Sequence, residues 1–292
     1  MSVLTEPLDP RLNAYRPDLA DLALKGRVTA ARFVPAEAFQ VSAPQAPLRR
    51  QPSERAPLET EALFGEAVSV FDRTDGWAWV QLKDDGYVGW MPLAALEKPH
   101  SEPTHRVAAL RTLVFSEPDI KSPLIAGLPL GARVTVVGEA SDRNARYALT
   151  APRGAVVVQH LAPLGAVESD WAEVAERFLG VPYLWGGKTS LGIDCSGLVQ
   201  VACRACGIAA PRDTDMQEAS LGRALPLDGG MPPLERGDFL FWRGHVGIMR
   251  DAATLIHANV YHMAVRVEPL EAAVARIARG NLSISNVRRI EG

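Results

Sequence analysis

Cysteine is scarce in this sequence: there are three in 292 residues, an odd number and too few for a disulfide framework in a chain of this length. At least one thiol must stay free. No apolar run approaches the roughly 20 residues that span a bilayer; stretches such as Ala155–Val158 are far shorter, and a membrane anchor is excluded. Charge of one sign is not concentrated anywhere. The 31 basic and 34 acidic residues are mixed along the chain and leave a net charge of −3, so the basic stripe that nucleic acid demands is missing. Met1–Pro10 carries Glu6, Asp9 and two prolines, where a secretory signal needs a basic start and an apolar run of about 7 to 15 residues. A cytoplasmic protein is expected. Cys203 and Cys206 form a Cys-x-x-Cys pair with no second pair to complete a four-ligand zinc site. They read as helix packing, and no metal or organic cofactor is expected.

What is present has the ordinary balance of a folded protein, with 47% hydrophobic and 22% charged residues. The length favours two or three compact units. Residues 1–50 mix a helix-like pattern (Leu19, Leu22, Leu24, Val28) with Pro35, Pro44 and Pro47, punctuation that predicts a lead-in and linker. From 51 to 99 short alternating runs take over: Ala67–Phe71, Trp77–Leu82 and Tyr87–Met91. Asp75-Gly76 and Asp84-Asp85-Gly86 between them supply the positive-φ turn chemistry of antiparallel hairpins. These features predict a small barrel, and residues 104–165 repeat the outline through Val114, Arg133–Val137 and Gly154–Val158. From 169 to 292 the pattern turns helical, with Trp171, Val174, Ala175, Phe178 and Leu179 at three- and four-residue steps before Gly180 and Pro182. Strands at Phe239–Trp242, His245–Met249 and Thr254–Ala258 follow, giving an α+β unit led by its helices.

The chemistry gathers in this last unit. Tyr183-Leu184-Trp185-Gly186-Gly187 and Ile193-Asp194-Cys195-Ser196-Gly197 make a glycine-rich loop running into a helix over about 194–206, with Asp194 as its cap. Cys195 then lies in the first turn, where free N–H groups and the positive dipole end favour a thiolate. A cysteine nucleophile needs a general base and a third group that orients the base. His245 opens one strand and His257 stands near the end of the next. If these strands pair through the Asp251–Ala253 turn, the two imidazoles come side by side. His262, five residues beyond His257, is the rival for the third place. Taken alone, a cysteine or a strand histidine is more often packing than catalysis; their order and context together point to thiol chemistry.

The series Phe178-Leu179-Gly180-Val181-Pro182-Tyr183-Leu184-Trp185-Gly186-Gly187, Asp194-Cys195-Ser196-Gly197-Leu198-Val199, Pro211-Arg212-Asp213, Arg236-Gly237-Asp238, Gly244-His245-Val246-Gly247-Ile248 and Ile256-His257-Ala258 resembles the NlpC-type family of cell-wall cysteine peptidases. The two β segments ahead of it resemble bacterial SH3-type domains, the first through Leu63-Phe64-Gly65-Glu66, Asp75-Gly76-Trp77 and Gly86-Tyr87-Val88-Gly89-Trp90. Together they look most similar to the γ-D-glutamyl-L-diamino-acid endopeptidases of murein recycling. That resemblance implies an α+β papain-like catalytic domain preceded by two small all-β SH3-like barrels, with Cys195 as nucleophile, His245 as base and His257 as the orienting residue. It implies an oxyanion hole at the Cys195 N–H, and a muropeptide L-Ala-γ-D-Glu-diamino acid as substrate. Asp213 matches the carboxylate that holds the free amine of L-Ala; the plainer alternative is an exposed loop carboxylate or a helix cap. Tyr87, Trp185, Asp194 and Ser196 match cleft residues, joined by either Glu59 or Glu66. A wall-peptide-binding protein, or an amidase or acyltransferase on the same fold, is the alternative function.

Overall fold

The computed structural model describes residues 8–152 and 154–291; most of the Met1–Pro10 segment used above lies outside them. The chain divides into two compact units, Met1–Leu164 and Gly165–Gly292.

The first unit is built on two seven-stranded antiparallel sheets. In the first, the strands run in the order Leu96–Glu97, Glu37–Val41, Ala67–Thr74, Trp77–Leu82, Val88–Pro92, Gln45–Arg49 and Leu58–Leu63. Asp75 and Gly76 both adopt positive φ, 46° and 81°, the tight-hairpin geometry that the Asp-Gly pair encodes. Val41, Leu48, Val68, Val70, Val80, Leu82 and Met91 bury their side chains in its core. The linker expected up to residue 50 is therefore corrected, because Glu37–Val41 and Gln45–Arg49 are strands of this sheet. Further upstream, Tyr15–Arg16, Leu19–Asp21 and Phe33–Val34 form a small three-stranded sheet. It lays Ala14 and Leu19 against Phe71 and Trp79 and stacks the Arg16 guanidinium 4.6 Å from the Trp79 ring and 5.1 Å from the Trp90 ring.

The second sheet orders Leu124–Pro129, Arg111–Phe115, Gly154–Val157, Arg146–Ala151, Arg133–Ser141, His105–Val107 and Leu161–Pro163. Its core takes in Leu63, with Phe64 packed beside it, both from the end of a first-sheet strand. The Arg133 N–H donates to the Phe64 carbonyl at 2.7 Å, and its guanidinium pairs with Asp84 at 2.6 Å.

The second unit holds four helices, α1 (Trp171–Glu176), α2 (Cys195–Ala205), α3 (Thr214–Ser220) and α4 (Leu270–Ala278), among its described residues. Its six-stranded antiparallel sheet runs Arg223–Ala224, Ile284–Arg289, Phe239–Trp242, His245–Met249, Thr254–Asn259 and Ala264–Pro269. Helix α2 is buried along almost its whole length. Asp194 starts it by accepting the Gly197 N–H at 2.6 Å, and Gly207, at φ +74°, follows its end. Leu240, Trp242, Met249, Leu255 and Val287 form a core with Ala273, Val274 and Ile277 of α4. No helix among the described residues is long and apolar enough to cross a membrane.

Candidate active site

The site is laid out by two short-range geometries. The first is the start of α2, where Cys195 is the opening residue of a helix whose free N–H groups face the glycine-rich loop. Gly197 lets that loop close: a Cβ there would stand 2.4 Å from the Gly187 carbonyl oxygen. The second is the antiparallel pairing of His245–Met249 with Thr254–Asn259, in the register Ile248 opposite Ile256. Beyond that pair, toward the start of the first strand and the end of the second, the imidazoles of His245 and His257 meet. His245 Nε2 and His257 Nδ1 share a hydrogen bond of 2.8 Å.

Cys195 reaches the same place from the helix. Its sulfur accepts from the backbone N–H groups of Val246 and Ser196, and Val246 follows His245 directly. His245 has Nε2 committed to His257, which leaves Nδ1 as its second proton-carrying position. His257 Nε2 in turn lies 2.7 Å from Glu268 Oε1. The rival His262 is bonded instead to Asn259, with Nδ1 at 3.0 Å from Oδ1.

The electrostatics differ from the expectation of a preformed thiolate. Burial pushes the Cys195 thiol up to about 12, reinforced by the Asp194 carboxylate; the two N–H donors and Arg212 pull only partly the other way. Burial likewise pulls His245 down to about 3, with the His257 and Arg276 charges acting in the same direction. Burial thus favours the neutral form of each. His257 is also lowered, chiefly by burial, against the raising effect of Glu268.

Asp194 and Ser196 are brought beside the nucleophile, but their polar atoms are already engaged. Arg212, 1% exposed, donates to Asp194 Oδ1 and Oδ2 at 3.0 and 2.7 Å and to Ser196 Oγ at 2.8 Å. Asp194 Oδ2 also accepts the Gly186 N–H at 2.7 Å. These bonds tie the loop, α2 and the Pro211–Asp213 turn together around Asp194 and Ser196. Asp213 is half-buried and stands at the N-cap position of α3, without a side-chain capping hydrogen bond. Its neighbourhood is fixed by Gln217, whose amide donates to the Ser196 and Pro211 carbonyls at 2.9 and 2.8 Å. Trp185 is 66% exposed on the loop.

Tyr87, Glu59 and Glu66 belong to the first unit. Tyr87 and Glu66 are buried, Tyr87 among the first sheet's core residues, and Glu59 pairs with Arg50 at 2.7 Å. Three residues of the site were not singled out by sequence reasoning. Tyr183 is close enough to Cys195 and Asp194 for their charges to raise its phenol, after burial as the main cause; its place in the loop motif was a usable signal. Arg212 also stood in a quoted motif. Glu268 carried no sequence signal beyond its alternation with Arg266 and Ala264. Among the described residues, no three of His, Cys, Asp or Glu gather to hold a metal ion.

Residues 48–96 match the bacterial dipeptidyl-peptidase Sh3 domain, and residues 180–277 match the NlpC/P60 family. The gamma-D-glutamyl-L-lysine dipeptidyl-peptidase of Bacillus subtilis is 32% identical over 229 residues, covering 69% of this chain and 72% of that protein. Dipeptidyl-peptidase 6 of Lysinibacillus sphaericus is 26% identical, covering 79% and 91%. Among solved structures, an NlpC/P60 family protein from Bacillus cereus superposes with a TM-score of 0.71 at 20% identity, over 87% of this chain and 99% of that one. The fold is therefore that of the NlpC/P60 proteins, papain-like in its catalytic part.

Proposed function

This chain belongs to the NlpC/P60 family and is a cysteine peptidase, and from that premise we propose that it hydrolyses the γ-D-glutamyl-L-diamino acid bond of cell-wall peptides bearing a free N-terminal L-Ala. Cys195 attacks the γ-carbonyl carbon while its proton passes to His245 Nδ1, and His257 holds the His245 ring in the receiving orientation. The oxyanion is met by the Cys195 N–H at the α2 terminus. The His245 proton then goes to the leaving amine of the diamino acid, and water, deprotonated by His245, opens the thioester. Atoms balance with one water consumed and the L-Ala-D-Glu dipeptide and the diamino acid, free or at the head of its remaining peptide, released.

The observation that carries the choice of substrate is Asp213. A half-buried carboxylate at the head of α3, next in the chain to Arg212, which holds Asp194 and Ser196 beside Cys195, suits recognition of an ammonium. The names of the similar Bacillus enzyme and of dipeptidyl-peptidase 6 fit the same register, in which a dipeptide is released. Trp185 is proposed to cover the bound peptide. We also read the second sheet, residues 104–165, as a second SH3-like barrel, and the setting as recycling of released wall peptides in the cytoplasm.

The test is hydrolysis of L-Ala-γ-D-Glu-diaminopimelate and its L-Lys counterpart beside N-acetylated copies, with Cys195→Ala as control. Cleavage of the free-amine peptides alone, abolished in the variant and falling on the order of 100-fold with Asp213→Asn, is expected. Equal cleavage of acetylated and free peptides would remove the amine-recognition role.

A further inference from the structure

His257 is 1% exposed and its outer nitrogen does not end on water or a backbone carbonyl. It ends on Glu268 Oε1 at 2.7 Å, and the same oxygen receives a hydrogen bond from Arg276 Nη2 of α4. Arg276 in turn lies over the Tyr261 ring, 4.5 Å from its centroid. Glu268 is thus clamped between a buried imidazole and a guanidinium that is itself stacked. We propose that Glu268 and Arg276 are positioning residues for the peptidase reaction, extending the site to a Cys195–His245–His257–Glu268 relay in which Glu268 sets the tautomer of both histidines and Arg276 tunes its charge.

The argument is one of donors and acceptors. An ionised carboxylate can only accept, so His257 Nε2 must carry the hydrogen, and Nδ1 of the neutral ring is then an acceptor. His245 Nε2 must therefore be the donor in the 2.8 Å bond between the rings. That leaves the lone pair of His245 on Nδ1, the nitrogen that has to take the thiol proton. A terminal group able to donate, such as an amide, would permit the opposite chain of tautomers and place a hydrogen where the lone pair is needed. The second contribution is charge. As Cys195 releases its proton, His245 becomes an imidazolium, and the Glu268 carboxylate two hydrogen bonds away favours that charge while Arg276 opposes it.

The titratable groups facing His257 are His245 from the neighbouring strand, Glu268 across the other edge, Arg276 from α4, and His262 from the hairpin. Arg266, its register partner, is exposed, and the Cys195 thiol faces the pair from α2. Of these, Glu268 alone is anionic at neutral pH. Removing it and removing Arg276 should therefore move the histidine pair in opposite directions.

The experiment measures iodoacetamide alkylation of Cys195 against pH, followed by mass of the Cys195 peptide, in the wild type, Glu268→Gln and Arg276→Gln, with thermal melting as the check of folding. This readout needs no peptide substrate, so it stands apart from the proposed bond specificity. Glu268→Gln should shift the acid limb to lower pH and Arg276→Gln should shift it to higher pH. With an active peptide substrate, Glu268→Gln should lower kcat about 10- to 100-fold, the range seen for the outer partners of metal-bound histidines, with KM little changed. Limbs that move in the same direction, or stay in place, would overturn the proposal. Should Glu268→Gln not fold, the upward shift with Arg276→Gln decides alone, and its absence counts against the relay.

Discussion

A buried neutral imidazole leaves a thermodynamic trace. His245 has a folded value near 3, against about 6.5 in an unfolded chain, and His257 is lowered as well. Between those values the unfolded chain binds protons that the folded chain refuses, so stability rises with pH across this window and is lost as pH falls below about 6.5. The urea midpoint of the catalytic unit should accordingly be lower at pH 5 than at pH 7, and His245→Asn should flatten that dependence. An unchanged midpoint in the wild type would contradict neutral burial of the pair. That Cys195 opens a helix and that His245 and His257 meet on adjacent strands was legible in the sequence, because a helix start and a hairpin register are set by local rules. The thiol's resting state was not, since the dipole of a helix start is readable from a cap while burial, which here outweighs it, is a property of the packed whole. Glu268 escaped for a related reason: its partner is fixed by strand register, and a lone glutamate in an alternating run reads as a solvated face.

At the scale of elements, α2 and the glycine-rich loop act as one piece. Gly197→Ala puts a methyl group 2.4 Å from the Gly187 carbonyl and 2.9 Å from Asp194 Oδ1. Backbone cannot yield as a flexible side chain can, so a loss of roughly 1–3 kcal/mol is expected. Most of the activity should go with it, because the displaced loop carries Tyr183 and Trp185. Gly165→Ala, with open space around its Cβ position, is the matched control, and chemical denaturation with activity assays of both variants checks the contrast. The strands of the first sheet downstream of residue 51 and the histidine hairpin were readable from alternation and Asp-Gly turns. Glu37–Arg49 was not, because its prolines signal a linker. Pro47 is tolerated where the strand Gln45–Arg49 meets Val88–Pro92 only through Arg49, so its missing N–H interrupts little pairing on that side.

At the scale of the molecule, Leu63 couples the two sheets of the first unit, being 3% exposed in the second core while its strand belongs to the first sheet. Leu63→Ala should cost about 2–5 kcal/mol, and calorimetry should show the first-unit transition shifted as one peak; a split into two peaks would mean that the sheets melt independently. Strand order in the catalytic unit carries a different consequence. Ile284–Arg289 lies between Arg223–Ala224 and Phe239–Trp242, inside the sheet rather than at its rim. Cys195, both histidines and Glu268 precede this strand in the chain, while Phe239–Trp242, which pairs directly with the His245 strand, lacks its other neighbour until Ile284–Arg289 has been made. The groups of the site thus stand on a sheet that only a later segment of the chain completes, and their alignment waits on that segment.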